Sequence, residues 1–547
     1  MNDIHPIIRE LLNKRGIKTE EEVQEFLSPT PKKTYDPFLL LNMKEGVDLI
    51  LSTINKKGKI CIYGDYDADG ITSICVLKTI LSELTETENI DYYIPSRFQE
   101  GYGLNKIALK KIKEKGTDLL ITVDCGSNSR DEVFYANEIG LDIIVTDHHS
   151  ITEGRSECIL INPKQPECPY PFKNLAGCGV AFKLAQAIRE KADLPRPITN
   201  SLLDIVGIGT IGDIVPLLDE NRTLAKYGIY EINKSKRPGL TKLIGSVSLK
   251  GGELGSDQVA FGIVPHLNAA GRMKDASVGV DLLLAKDEDE AQTLSEELIM
   301  HNRERKRVQE ETFRECLGLK EIQCPDSLFP VIRDDNAHEG IAGIVAGKLK
   351  DVWQKPVIIV TPSDGSLKGT GRSIDKIDMF RALEKHKELF ERFGGHQGAC
   401  GFLMKEENLH ALRKALNEDI EAEIKVKPGL LEPEIQFDMD IEGKDITLLL
   451  AELMEQMAPF GSMNRRPLFR MKNITVSRPA FLGQESRHAR FEAVFSDGTS
   501  ASCILFNKAE DHREKLLEGM STDIYGSMNI NTFNRKKKVQ IIVEDMI

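Results

Sequence analysis

Three aspartates alternate in the segment Gly64-Asp65-Tyr66-Asp67-Ala68-Asp69-Gly70, directly after the short apolar run Lys59 to Gly64. In an extended segment every second side chain points the same way, so Asp65, Asp67 and Asp69 can offer three carboxylates to one point. The two glycines permit the tight backbone this requires. Taken alone, the segment is equally an acidic surface turn. It is not a calcium EF-hand, because no acid stands at the twelfth position of such a loop.

The pattern recurs. The run LLITVD ends in Asp124 before Cys125-Gly126, and DIIVTD ends in Asp147 before His148-His149. A further apolar segment, Ile205 to Ile211, leads through Gly212 to Asp213. One aspartate at a strand end is usually a helix cap. Four apolar segments delivering acids and imidazoles to one edge of one sheet are not explained by capping. Mixed carboxylate and imidazole ligands suit Mn²⁺, Mg²⁺, Fe²⁺ or Zn²⁺. An acid shared between two cations sets them roughly 3.5–4 Å apart, the spacing of two-metal hydrolysis. Such a pair lowers the pKa of bound water and neutralises charge on an in-line phosphoryl transition state. The chemistry predicted is metal-dependent hydrolysis of a phosphoester.

The elements that must hold these residues are an alternation of strand and helix. Strands are expected at Lys59 to Gly64, Asp91 to Pro95, Asp118 to Asp124 and Asp142 to Asp147. Helices are expected at Ile71 to Leu84, Asn105 to Lys115 and Arg130 to Ile139. That alternation means a parallel sheet with crossover helices, and ligands bind outside the carboxyl ends of such strands. The first 55 residues read as short helices with a link at Ser28-Pro29-Thr30-Pro31. Asp287 to Cys316, charged and free of Gly and Pro, reads as one long connecting helix. A second α/β region runs from about Ser327 to Glu423, with a strand at Pro356 to Val360 and turns at Gly365 to Gly371 and Gly394 to Gly401. From about Lys427 short alternating runs follow, at His488 to Phe495, Ser500 to Phe506, Asp523 to Met528 and Val539 to Val543, which predict a small β-barrel.

A chain of 547 residues exceeds one core and predicts several domains. No apolar run approaches the roughly 20 residues that span a bilayer, and Met1 to Lys14 is no secretory signal. A cytoplasmic protein without membrane partners is expected. The ten cysteines contain no C-x-x-C pair, and the even spacing of Cys158, Cys168 and Cys178 is too wide for a zinc knuckle, so they read as buried free thiols. The net charge of −13 weighs against nucleic acid as a partner. Charge acts locally, however, and two basic clusters stand out: Arg303, Arg305, Lys306 and Arg307, and Arg535 to Lys538. Either can also be a solvated face.

The four motifs, Asp65-Tyr66-Asp67-Ala68-Asp69-Gly70, Val123-Asp124-Cys125-Gly126, Asp147-His148-His149 and Gly209-Thr210-Ile211-Gly212-Asp213, resemble those of the DHH phosphoesterase superfamily. The whole chain is similar to the RecJ family of single-strand-specific DNA exonucleases within it. Pro95 to Leu104, Cys168 to Leu184 and Asn268 to Met273 (NAAGRM) support this, and Gly394 to Phe402 (GGHQGACGF) resembles the signature of the DHH-associated domain. The resemblance implies two α/β domains joined by a long helix and followed by an oligonucleotide-binding-fold barrel. The expected division is 1–285 for the N-terminal segment and DHH domain, 286–325 for the connector, 326–426 for the DHH-associated domain and 427–547 for the barrel.

It also implies roles. Asp67 and Asp124, with Asp65, would hold one metal ion, and Asp69, Asp124, His148 and Asp213 the other. The ions would be Mn²⁺, with Mg²⁺ as the alternative. Asp147, His148 and His149 would form the catalytic group, His149 touching the scissile phosphate and Asp147 orienting its neighbours. Arg372 and His396 would grip phosphates, with Arg97, Asn268, Arg272 and His338 as further substrate contacts. From the residues alone, Arg272 is also readable as a surface ion pair and His338 as a helix cap or core histidine.

The implied activity is 5′-to-3′ release of mononucleotides from single-stranded DNA in repair and recombination, by a monomer. A single-stranded-DNA-binding protein and a helicase are candidate partners. The alternatives are a phosphodiesterase of short oligonucleotides or cyclic dinucleotides, and a non-catalytic DNA-binding scaffold. Phe491, Phe495, Phe506, Tyr525 and Phe533 could stack bases or form barrel core. Three segments depart from the family pattern: His266 stands where Arg is usual, Ser127-Asn128 replaces Ile-Ser, and Gly461 to Arg466 interrupts a G-x-G-N-P turn. None touches a metal ligand; they bear on DNA affinity.

Overall fold

The computed structural model describes residues 4–28, 30–97, 100–101, 103–247, 253–363, 365–483, 486–533 and 536–547. Pro29 of the first link, Phe98, Gln99 and Tyr102 of the Pro95 to Leu104 segment, Arg535 of the second basic cluster and the Phe533 side chain lie outside the described residues.

The first sheet has five parallel strands, β1 (Ile60–Gly64), β2 (Ile90–Tyr93), β3 (Leu119–Val123), β4 (Asp142–Thr146) and β5 (Ile159–Ile161), in the order β2-β1-β3-β4-β5. Central strands β1 and β3 are buried throughout, as their unbroken apolar runs require in a sheet covered on both faces. Ile60 and Ile62 face one core with helix Ala68–Ser82, while Cys61 and Tyr63 face a second with helix Lys106–Glu114. The strand order reverses between β1 and β3. This switch point opens a crevice at the strands' carboxyl ends.

Ile205 to Ile211 forms no strand; it lies in helix Leu203–Gly212. The segment is buried on all sides, so its hydrophobicity carries no period to separate helix from strand. Asp213 therefore reaches the sheet edge from a helix C-terminus.

Asp287 caps helix Glu288–Gln323, whose 36 residues give a length of about 54 Å. It leads to a second sheet of β6 (Val331–Arg333), β7 (Val357–Ser363), β8 (Ser366–Arg372), β9 (Arg392–His396) and β10 (Ala399–Met404), in the order β6-β7-β8-β10-β9. Gly365 to Gly371 and Gly394 to Gly401, expected as turns, lie mostly inside these strands, because their glycines serve close approach within the sheet, as Gly369 does against the Phe402 ring, and not chain reversal. Its two faces carry separate cores.

The third sheet comprises β11 (Met439–Asp440), β12 (Phe469–Leu482), β13 (His488–Val494), β14 (Ser500–Leu505), β15 (Ser521–Phe533) and β16 (Lys536–Met546). Its order is β11-β12-β13-β14-β16-β15, and β12 also pairs with β15, so the last five strands form a closed ring. That connectivity is the oligonucleotide-binding fold. Phe491 and Phe495 point into its core, whereas Phe506 is half exposed. Helices Pro6–Lys14 and Glu20–Leu27 complete this core with Ile8, Leu11, Leu12, Val23 and Phe26. The two ends of the chain thus share one hydrophobic cluster. The buried Arg222 guanidinium joins them to the first domain, donating to the carbonyls of Phe26 (2.8 Å) and Met457 (2.8 Å).

Among the described residues no helix is long and apolar enough to cross a membrane.

Candidate metal centre

The acidic turn follows β1 at the switch point. Asp67 caps helix Ala68–Ser82, its Oδ1 accepting from the amides of Asp69 (2.9 Å) and Gly70 (3.1 Å). Gly70 is required by space: a Cβ there would lie 2.3 Å from the Asp65 carbonyl oxygen. Asp69 enters the first turn of the same helix and accepts from the amides of Gly177 (2.6 Å) and Cys178 (2.8 Å). These open helix Gly177–Lys191, whose N-terminus favours a carboxylate. Asn268 Oδ1 accepts from the Ala68 amide at 2.7 Å, so this residue braces the turn.

Asp124 follows β3 with φ of +59°, a left-handed conformation uncommon outside glycine. Asp147 follows β4 and receives the amides of Ser127, His148 and His149 together with His149 Nδ1 at 2.7 Å. His148 Nε2 stands 3.1 Å from Asp124, 3.6 Å from Asp213 and 3.9 Å from Asp69. Single ligand atoms converge in overlapping sets: Asp65, Asp67 and Asp124; Asp69, His148 and Asp213; and Asp124, Asp147, His148 and His149. Every metal ligand expected from the sequence is brought together.

Asp65 Oδ1, Asp124 Oδ1, Asp213 Oδ2 and His148 Nε2 are buried without a hydrogen bond in the protein. Buried polar atoms are normally satisfied, so four on one point fit divalent cations. The electrostatics agree. Burial and the neighbouring carboxylates push Asp65 up to about 8, Asp69 to about 7 and Asp213 to about 9, and raise Asp124 strongly. Cations at this point reverse that logic and keep the acids ionised. Burial holds His148 down to about 3, the neutral form a metal ligand needs. For Asp147, burial is outweighed by the hydrogen bond and charge of His149, and its pKa falls. Burial also opposes charge on His149, but the bond to Asp147 prevails and raises its pKa.

The substrate candidates surround this centre. Arg97 lies over the Tyr66 ring at 4.9 Å and acts electrostatically on Asp65, Arg272, His338, Lys368 and Arg372. It faces both α/β domains. Arg272 is buried and donates to the Gly340 carbonyl at 3.1 Å. Its pKa is drawn down to about 10 by burial and by Arg97 and Arg305. It is no surface ion pair. His338 is the N-cap of helix Glu339–Trp353, its side chain accepting from the Gly340 amide. Arg372 and His396 lie in one row of the second sheet, both paired with Ala399. His266 is buried with Nδ1 2.7 Å from the Gly262 carbonyl, closing the wide turn Val259–Ile263.

Sequence reasoning missed several cations. Lys164 acts on Asp147 and Asp213, and Arg305 of the connector helix acts on Arg272. Lys368 of the second sheet approaches both Arg97 and its sheet neighbour Arg392. Arg305 had a signal in the basic cluster; the others stand singly and gain meaning only from domain packing.

Three family models match the chain: the DHH family N-terminal domain over residues 59–210, the DHHA1 domain over 327–422 and the RecJ OB domain over 437–545. The single-stranded-DNA-specific exonuclease RecJ of Bacillus subtilis is 37% identical over 99% of this chain and 68% of its own length. That of Salmonella typhimurium is 31% identical over 100% and 96%. The crystal structure of RecJ in complex with Mn²⁺ from Thermus thermophilus superposes with a TM-score of 0.81 at 28% identity, covering 98% of this chain and 75% of that one. Its Mg²⁺ complex gives a TM-score of 0.75 over 98% and 74%. With its metal-ligand cluster at the switch point, its two α/β sheets and its closed barrel, this chain belongs to the RecJ family of the DHH phosphoesterases.

Proposed function

We propose that this chain is a metal-dependent exonuclease of single-stranded DNA that works from the 5′ end and releases mononucleotides. The observation that carries the reading is the convergence of Asp65, Asp67, Asp69, Asp124, His148 and Asp213 under a rim of arginines. Asp65, Asp67 and Asp124 would hold one ion, and Asp69, Asp124, His148 and Asp213 the second. When bound, Mn²⁺ or Mg²⁺ supplies an activated water and charge neutralisation at the phosphorus.

The protein's residues do the rest. Asp147 fixes the His149 ring through Nδ1 and favours its protonated form, which directs a charged donor at a phosphate oxygen. Arg97, Arg272, Arg372 and His396 hold phosphates and orient the strand. His338 and Asn268 support them, the one at a helix N-terminus and the other behind the acidic turn. The division at 1–285, 286–325, 326–426 and 427–547 assigns hydrolysis, connection, phosphate grip and strand guidance in turn, with the two helices before residue 28 packed on the barrel. The proposed working form is a cytoplasmic monomer. A helicase and a single-stranded-DNA-binding protein are its proposed partners, since the substrate must be opened and kept open.

The test is Mn²⁺-dependent digestion of single-stranded DNA labelled separately at each end, with duplex and RNA controls. The expected result is early release of the 5′ label as a mononucleotide with duplex spared. Early release of the 3′ label would reverse the polarity, and cleavage confined to very short oligonucleotides would replace the polymer by a small substrate. No hydrolysis with metal present would make the chain a scaffold.

A further inference from the structure

The second sheet is covered unevenly. On one face, Ile341, Val345 and Leu349 of helix Glu339–Trp353 pack on Ile332, Val357 and Ile359 of β6 and β7. The same helix reaches Thr370 and Arg372 of β8; beyond it β10 and β9 remain open, and the register of the three strands fixes three rows on that face. Arg372 pairs with Ala399 and on to His396; Thr370 with Gly401 and on to Gly394; Lys368 with Leu403 and on to Arg392. Successive rows lie about 7 Å apart. The first row holds the proposed phosphate grip. Over the next two lies a cavity of about 460 Å³, lined among others by Lys368, Arg392, Gly394, Gly401 and Leu403, with Glu391 on its wall accepting from the Ser366 hydroxyl. This is the size of a small-ligand site.

Two features of the cavity ask for a ligand. The first is charge. Lys368 and Arg392 stand on either side of Leu403 on one sheet face, near enough for the Arg392 charge to act on Lys368. Glu339 pairs with Lys368, and among the described residues no acid pairs with Arg392. Burial and the nearness of Arg97 and Arg392 depress the Lys368 ammonium.

The second feature is the floor. Five glycines occupy the neighbouring strand positions, and three are explained by the chain itself. A Cβ on Gly369 would strike the Phe402 ring at 2.0 Å, one on Gly371 would press on Ile358 and Met379 at 3.1 Å, and Gly395 has φ of +149°. Gly394 and Gly401 are different. Neither has a left-handed φ; a Cβ on Gly394 would meet nothing within 4 Å, and one on Gly401 only the Gly369 carbonyl oxygen at 3.8 Å. Glycine weakens a strand interior and marks sites where a ligand approaches closely. Here its cost has no return within the protein.

We propose that this cavity is a subsite for a second nucleotide, with its base flat on Gly394 and Gly401 beside Leu403 and its phosphate between Lys368 and Arg392. The inference rests on the nuclease reading above. The nucleotide is either the unit of the bound strand next to the one gripped by Arg372 and His396, or a free mononucleotide just released. The two sources share one chemistry and differ in tethering.

The test uses the full chain carrying Asp124→Ala, which stops turnover, with 5′-phosphorylated oligothymidylates of one to six units labelled at the 3′ end. Fluorescence anisotropy gives the affinity at each length, and thymidine 5′-monophosphate serves as competitor. Arg392→Gln and Gly401→Val are compared on that background, with melting curves as folding control. Gly401→Val fills the floor with a residue that favours strands.

The expected result is a gain in affinity at one added unit that drops about tenfold in either variant, while the shorter ligands bind as before. Variant-sensitive binding of the free mononucleotide, with no length step, would assign the subsite to product. Equal steps and equal mononucleotide binding in all three proteins, with wild-type digestion intact, would overturn the subsite alone. If the parent background binds no oligonucleotide and the wild type digests none, the proposed function falls and the subsite with it.

Discussion

Asp124 carries the greatest conflict of any single residue. It is buried, left-handed, and crowded by Asp69, Asp67, Asp65 and Asp213, each of which helps to raise its pKa. Such strain and repulsion persist where function demands them. Asp124→Asn removes one charge with little change of shape. In EDTA it should therefore melt above the wild type. Saturating Mn²⁺ should reverse the order, since a ligand at a hundredfold its Kd stabilises the folded state by about 2.7 kcal/mol. Hydrolysis should fall by about a thousandfold or more. Paired melting curves with and without metal check this, and a wild type that outlasts the variant in EDTA would contradict it. Asn268 separates two roles in the same way. With its Oδ1 holding the Ala68 amide, Asn268→Ala should lower metal occupancy more than it raises KM for DNA. A pure substrate contact would do the opposite. The metal ligands were legible because each stands at an abrupt end of an apolar run. Asn268 was legible only as part of a motif, because its partner is a backbone amide 200 residues away.

At the level of elements, legibility followed the period of the pattern. Four of the five parallel strands, the connector helix and four of the barrel strands stood out as continuous or alternating runs, whereas β5, only three residues long, did not. Helix Leu203–Gly212 did not, being apolar on every side. The long strand β12 was missed for another reason. Its alternation breaks at register shifts between Met471 and Ile474 and between Ser477 and Ala480, and Pro479 sits in the second. Prolines within sheets are confined to such bulges and edges. The docking of the first two helices on the barrel was also hidden, since an amphipathic face does not name its partner. Arg222 holds that junction through carbonyls of both partners, with its guanidinium 3.9 Å from the Phe26 ring centre. Arg222→Met should strand those carbonyls and cost about 2–4 kcal/mol. Limited proteolysis should then cut near residues 28 to 33 first, while cleavage elsewhere stays slow. Unchanged protection of that link would show that the apolar contacts suffice.

For the whole molecule, the net charge of −13 hides a cleft that is locally positive. Arg97 and Arg272 come from the first domain, Arg305 from the connector, and Lys368, Arg372 and Arg392 from the second sheet. They are drawn from four separate stretches of sequence, around 97, 272, 305 and 368–392, so the positive rim exists only once the domains are packed. Its consequence is measurable as counterion release. For single strands, log affinity falls with log salt at about 0.7 per neutralised phosphate contact. Arg97 reaches cations of both domains and should count once in that slope, as should Arg372. Each Arg→Ala change should therefore flatten the slope by about 0.7 and weaken binding most at low salt. The basic residues on the outer face of the connector, such as Arg307 in its pairs with Glu304 and Glu311, should leave the slope unchanged. Titrations of the Asp124→Ala protein across a salt series read this directly. Equal slopes for Arg372→Ala and its parent would take the second domain out of the phosphate path and move the strand toward the barrel.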